Sequence, residues 1–155
     1  MRRKVKVNPP VPRYQTRPAE QQDEPFLYAC YKQVMHEYID QTWGWNEEFQ
    51  KASFIEYLPW QRWQIITIDE IAVGGVCILD STSCIDLEMI IVHQRFQRMG
   101  IGSDFLANLV RRARKERRQV RLRVLKVNPA RGLYQRLGFV VVSDDAATIE
   151  MRAEP

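Results

Sequence analysis

No apolar run in the 155-residue chain approaches the roughly 20 residues that cross a bilayer, which argues against a membrane-spanning helix. Cysteine is scarce. Cys30, Cys77 and Cys84 are odd in number and none belongs to a CxxC pair. Neither a disulfide framework nor a zinc site follows, which fits a reducing compartment. Histidine is scarcer: His36 and His93 stand alone, with no metal spacing and no nucleophile beside them in sequence. The basic start, Met1-Arg2-Arg3-Lys4, leads into Pro9, Pro10 and Pro12 and not into an apolar stretch, so a cytoplasmic location is expected. Charge is not extreme either. A net charge of +4 mildly favours anionic ligands and is too small to imply nucleic acid by itself. What is present is a 45% apolar fraction, enough for a real core in one domain of this length.

Residues 1–13 read as a flexible N-terminal arm and 14–155 as a single domain. A short strand is expected around Tyr14–Arg17. Asp23 and Glu24 open a helix carrying Leu27, Cys30, Tyr31, Val34 and Met35 at helical spacing. Asn46 caps a second helix, Glu47–Tyr57, which Pro59 stops. The pattern then turns to β-branched and aromatic residues. Strands are predicted at 61–68, 71–79 and 84–92, with turns at Asp69-Glu70 and 80–83. A helix follows from Ser103 to about Arg118, then a strand at 120–127. Asn128 and Pro129 open a short helix to Leu137, and Gly138 takes the left-handed position after it. Strands at 139–142 and 148–152 close the sheet. The crossover helix makes strands 84–92 and 120–127 parallel, and the rest antiparallel. The fold class is mixed α/β, with helices on both faces of the sheet.

The stretch His93-Gln94-Arg95-Phe96-Gln97-Arg98-Met99-Gly100-Ile101-Gly102-Ser103 joins a strand to a helix. Two glycines permit a tight turn with exposed N–H groups, and the helix dipole favours an anion there. A dinucleotide fingerprint needs a third glycine, but position 105 is Phe; a P-loop needs Gly-Lys-Ser/Thr, but Ser-Asp follows Gly102.

Gln97-Arg98-Met99-Gly100-Ile101-Gly102 resembles the Q/R-x-x-G-x-G/A signature of the GNAT family of N-acetyltransferases. Downstream, Asn128 followed by Leu133-Tyr134-Gln135-Arg136-Leu137-Gly138-Phe139 is similar to that family's strand-Asn-helix-LYxxLGF segment. Trp43-Gly44-Trp45-Asn46-Glu47 resembles a stretch carried by a bacterial subgroup. The resemblance covers roughly 14–152. It implies the GNAT fold: a central six- to seven-stranded sheet, about four helices, and a parallel pair that splays at its C-terminal end. It also implies acetyl-CoA as cofactor. Its pyrophosphate would sit on Arg98, Met99, Gly100, Ile101, Gly102 and Ser103, beside Gln97. Its pantetheine arm would pair with the backbone of Ile90, Ile91 and Val92, and Asn128 and Arg131 would complete the contacts. The acceptor would be a small-molecule or peptide amine, and the protein a monomer or homodimer.

Transfer to an amine needs a base, an oxyanion donor and an acid for the leaving thiolate. Tyr134 is the candidate acid, expected to point away from the Leu133/Leu137 core stripe. Alternation puts Asp86, Glu88, Ile90 and Val92 on one face, with Glu88 the candidate base and Asp86 or a water the alternatives. A backbone N–H near Ile91 is the candidate oxyanion donor. Ser103 and Asn128 read equally well as helix N-caps. Trp43, Trp45, Trp60 and Trp63 are candidates for an aromatic wall or for core packing. The run Arg111, Arg112, Arg114, Lys115, Arg117, Arg118 is read as a solvated helix face that assists the adenosine 3′-phosphate. No nucleic-acid fold motif accompanies it, so a nucleic-acid partner is not expected. A CoA-binding regulator without turnover is the remaining alternative.

Overall fold

The β-branched stretch from residue 63 to 92 folds as an antiparallel meander at the centre of a seven-stranded sheet. The computed structural model describes residues 9–155. Residues 1–8 of the expected arm lie outside the described residues. In chain order the elements are β1 (Gln15–Pro18), α1 (Glu24–Trp43), α2 (Glu47–Tyr57), β2 (Trp63–Ile68), β3 (Ile71–Asp80) and β4 (Cys84–Val92). There follow α3 (Ile101–Lys115), β5 (Gln119–Leu125), α4 (Arg131–Arg136), β6 (Val140–Asp144) and β7 (Thr148–Ala153). The sheet order is β1-β2-β3-β4-β5-β7-β6, and among the described residues only β4 and β5 pair in parallel. Seven strands, four α-helices and one parallel pair among the described residues match the expected fold.

Asp69 and Glu70 both take positive φ, which closes the β2–β3 hairpin with the twist that two-residue turns favour. Asn46 caps α2 by accepting from the Phe49 N–H at 2.9 Å. Glu47, next to it, receives Trp45 Nε1, the Tyr28 hydroxyl and Lys32, and this clamp ties α1 to α2. Those three donors hold the Glu47 carboxyl down at about 2.

Two cores flank the sheet. On one face Leu27, Cys30, Tyr31, Ile39 and Phe54 of α1 and α2 pack on Trp63, Ile65, Cys77 and Ile91. On the other, Leu106, Leu109, Val110 and Ala113 of α3 join Ile85, Leu87, Leu122, Tyr134, Phe139 and Met151. Each wholly buried aliphatic side chain contributes about 1.5–3 kcal/mol, so the two layers hold the sheet from both sides.

Several boundaries differ from the sequence reading. Residues 61–62 form a 3-10 turn, Trp60–Arg62, in place of the start of a strand, because Pro59 precedes it with extended backbone. Helix α3 begins at Ile101 and not at Ser103. Its N-cap is Gly100 at φ +83°, so Ser103 lies inside the first turn and caps nothing. β5 ends at Leu125, and Asn128 accepts from Ala130 N–H at 2.9 Å ahead of α4, whose N-cap is Ala130. Gly138 does take the left-handed position, at φ +94°.

Candidate active site

The β4–β5 pairing is short. Its register runs Cys84↔Gln119, Ile85↔Val120, Asp86↔Arg121, Leu87↔Leu122 and stops there. Beyond it β4 stays paired to β3 as far as Val92, and β5 stays paired to β7 as far as Leu125. The two strands therefore part, and each presents an unpaired edge to the gap. Such edges leave N–H and C=O groups to be satisfied by something else.

A bulge coincides with the parting. Cys77 pairs with Met89 and Ile78 with Leu87, which leaves Glu88 as the extra residue in β4. The bulge breaks the expected alternation. Ile85, Leu87 and Ile90 pack toward α3, while Met89 and Ile91 pack toward α1. Asp86, Glu88, Ile90 and Val92 thus do not form one continuous face. Past the bulge, His93 N–H donates to Val73 C=O at 2.7 Å. Period two then turns the Ile91 backbone groups toward β3, and those of Ile90 and Val92 toward the gap.

The gap opens into a cleft of about 960 Å³. Glu88, Ile90, Val92, Gln97, Arg98, Gly102, Asn128 and Tyr134 line it. The glycine turn closes one end. Arg98 and Gly100 both adopt left-handed φ, +62° and +83°, and α3 starts immediately after. Among the described residues, no hydrogen bond takes up the N–H groups of Arg98 through Ser103. They are unpaired donors at the positive end of a fifteen-residue helix, and of these residues Arg98 and Gly102 line the cleft. Gly102 borders the cleft and a Cβ there would meet nothing within 4 Å. Gln97 Nε2 donates to Val92 C=O at 2.9 Å and pins the turn to the end of β4.

Tyr134 sits differently from the sequence reading. It is 8% exposed, while Leu133 and Leu137 are only partly buried. The cause is the helix end. With Gly138 left-handed, the Phe139 N–H reaches back to Tyr134 C=O at 3.0 Å, and the Phe139 ring meets the Tyr134 ring edge-on at 5.8 Å. Among the described residues no protein group hydrogen-bonds the Tyr134 hydroxyl. Burial pushes its pKa up to about 12.

Glu88 is held by Arg62 Nη1 at 2.8 Å and accepts from Cys77 Sγ at 3.3 Å. Asp86 is gripped by a two-pronged contact from Arg121, at 2.7 and 3.0 Å. Both carboxylates line a second cavity of about 590 Å³ on the α2 side of the sheet, with Tyr57, Arg121, Arg123 and Glu150. Leu87, Glu88, Leu122 and Arg123 border both spaces, so the two meet where the strands part.

The sequence model of the acetyltransferase (GNAT) family matches residues 22–139. The chain belongs to that family. No curated relative matches significantly. Among solved structures the chain resembles PH1933 from Pyrococcus horikoshii OT3, at 18% identity and TM-score 0.71, covering 92% of this chain and 99% of that one. It also resembles the PaiA N-acetyltransferase of Thermoplasma acidophilum in complex with coenzyme A, at 15% identity and TM-score 0.66, covering 92% and 99%. A GNAT family acetyltransferase from Elizabethkingia anophelis with acetyl-CoA bound aligns at 13% identity and TM-score 0.65, covering 92% and 98%.

Within this GNAT fold the remaining candidates separate. Ile91 and Ile101 are buried at 1% exposure, Met99 is 42% exposed, and Ser103 lies in the first turn of α3. Arg131 is exposed and does not border the cleft; Arg136 does. Trp63 is fully buried and Trp45 packs on Tyr31 and His36, so neither forms an acceptor wall; Trp43 is 63% exposed at the cleft rim. The sequence reading passed over Arg62 and the Asp86–Arg121 pair. The second had a signal: the parallel register that the crossover demands sets 86 opposite 121. In the basic run, Arg112 and Arg118 pair with Asp80, and Arg118 also with Glu116. Burial pushes the Cys30 and Cys77 thiols up, Cys30 to about 12, which disfavours either as a nucleophile.

Proposed function

We propose that this chain is an acetyl-CoA-dependent N-acetyltransferase that moves an acetyl group to a primary amine by direct attack in a ternary complex. The observation that carries the proposal is the parting of β4 and β5 after Leu87 and Leu122, with the glycine turn at one end and Tyr134 lining the cleft. These residues fit the cofactor. The unpaired edges can hold an amide-rich pantetheine arm like an added strand. The N–H groups of Arg98 to Ser103 can hold a pyrophosphate, and Gly102 leaves it room. When bound, acetyl-CoA supplies an acetyl group activated as a thioester.

The chain's own groups then have distinct tasks. The N–H groups of Ile90 and Val92 point into the gap and can donate to a developing oxyanion. Glu88, at the border of the two cavities, takes the amine proton, directly or through a water. Tyr134, with its pKa near 12, keeps a proton on Oη at neutral pH and offers it as the acid. The Trp43–Glu47 stretch supports placement in the bacterial subgroup with a Trp-Gly-Trp-Asp/Asn motif. A cytoplasmic, single-domain enzyme is consistent with the composition.

The test is acetyl-CoA turnover against a panel of amine classes, read as free thiol. Thiol release with at least one class is expected, and Tyr134→Phe should lower kcat by about 10²-fold while CoA affinity holds. CoA binding with no turnover across the panel would instead favour a CoA-binding regulator.

A further inference from the structure

The cavity on the α2 side is lined by three carboxylates and two guanidiniums, and Arg62 and Arg152 pair with its carboxylates from outside the lining, which makes four guanidiniums to three carboxylates. Its three carboxylates each have a guanidinium of their own. Asp86 is held by Arg121 at 2.7 Å, Glu88 by Arg62 at 2.8 Å, and Glu150 by Arg152 at 3.1 Å. Arg123 makes only a long pair, with a Glu150 that it shares with Arg152. Its nearest carboxylate oxygen is on Glu150, 3.9 Å away, and its side chain is 71% exposed. Glu150 already accepts two contacts from Arg152 and one from the Ser143 hydroxyl, so little of it remains for Arg123.

Position makes this surplus useful. Arg123 is the first residue of β5 past the last parallel pair, Leu87↔Leu122. It borders both the main cleft and the second cavity, as does Glu88. One exposed, weakly paired guanidinium and one candidate base therefore border the spot where an amine would have to arrive. A guanidinium fork binds a carboxylate with two parallel hydrogen bonds. A dication such as a polyamine finds no free carboxylate there and meets Arg123 as a like charge.

We infer that the acceptor is an amine that carries its own carboxylate, an amino acid or a close derivative, with Arg123 as the residue that selects it. The inference rests on the proposed N-acetyl transfer and narrows its substrate class. Arg123 holds the carboxylate, which aligns the amine beside Glu88. Binding energy spent on that carboxylate raises specificity through kcat/KM.

The experiment compares matched acceptors, each amino acid against its carboxamide and its decarboxylated amine, with thiol release as readout. The acids are expected to exceed their neutral or cationic partners by at least about tenfold in kcat/KM. In Arg123→Gln that preference should disappear, mainly through a raised KM for the acids, and Arg123→Lys should restore part of it. Equal rates within each pair, a preference for the cationic amines, or a preference that survives Arg123→Gln would each overturn the inference. Calorimetry with CoA separates the two levels. A protein that binds CoA and turns over the carboxamides better loses only the carboxylate selection, whereas one that does neither loses the transferase reading as well.

Discussion

Tyr134 keeps its proton because burial disfavours the charged phenolate. That has a consequence for stability. The folded side chain ionises near 12, against about 10 when the chain is unfolded. Below pH 10 both states are protonated and the contribution is whole. As pH rises through 12 the unfolded state releases its proton first, and about 2–3 kcal/mol is lost. Urea unfolding between pH 9 and 11.5 should show this slope, and Tyr134→Phe should flatten part of it. A residual slope is expected from Tyr14 and Tyr28, both also raised to about 12, chiefly by burial. Glu88 can be tested by its amide. Glu88→Gln keeps the shape and an acceptor for Arg62 but removes the basic oxygen. Turnover should fall by about 10²–10⁴-fold with CoA affinity unchanged. Full activity in that variant would shift the base role to a water or to Asp86.

The elements around the site were legible in the sequence to different degrees. The strand-turn-helix at 92–103 could be read because it is local: two glycines, a β-branched strand before them and an amphipathic helix after. The Gly138 turn was legible for the same reason. The bulge at Glu88 was not, since it arises from the register with Cys77 and Ile78 across the β3–β4 turn, which alternation along β4 alone does not encode. The burial of Tyr134 was missed because it depends on Phe139 folding back over the helix end. Arg62 was missed because the 3-10 turn after Pro59, not a strand, delivers it to Glu88. At Gly74 a bulge and a close backbone approach coincide. The β2–β3 register slips beside Thr67, and a Cβ on Gly74 would lie 2.3 Å from Ile91 C=O. Gly74→Ala should therefore push β4 away from β3 and destabilise by about 1–3 kcal/mol, measurable as a lower Tm. An unchanged Tm would mean that β4 yields freely at Ile91.

At the scale of the whole molecule, the sheet is two units joined by four residue pairs. β1 to β4 lie on one side of the join and β5 to β7 on the other, while α1 and α2 cover one face of the sheet, α3 and α4 the other, and α3 crosses between the two units. The parting of β4 and β5 is thus a property of the topology, and the glycine turn sits where the crossover begins. N-acetyl transfer from acetyl-CoA requires that this opening hold the cofactor. The most direct measurement is calorimetric titration of CoA into the protein and into Gly100→Asp, with circular dichroism confirming that both are folded. Saturable binding by the first and none by the second is the predicted result, because the substitution sets a carboxylate at a left-handed position beside the donors of Arg98 to Ser103. Absence of binding by the folded parent protein, or equal affinity in the two, would contradict the opening as the cofactor site.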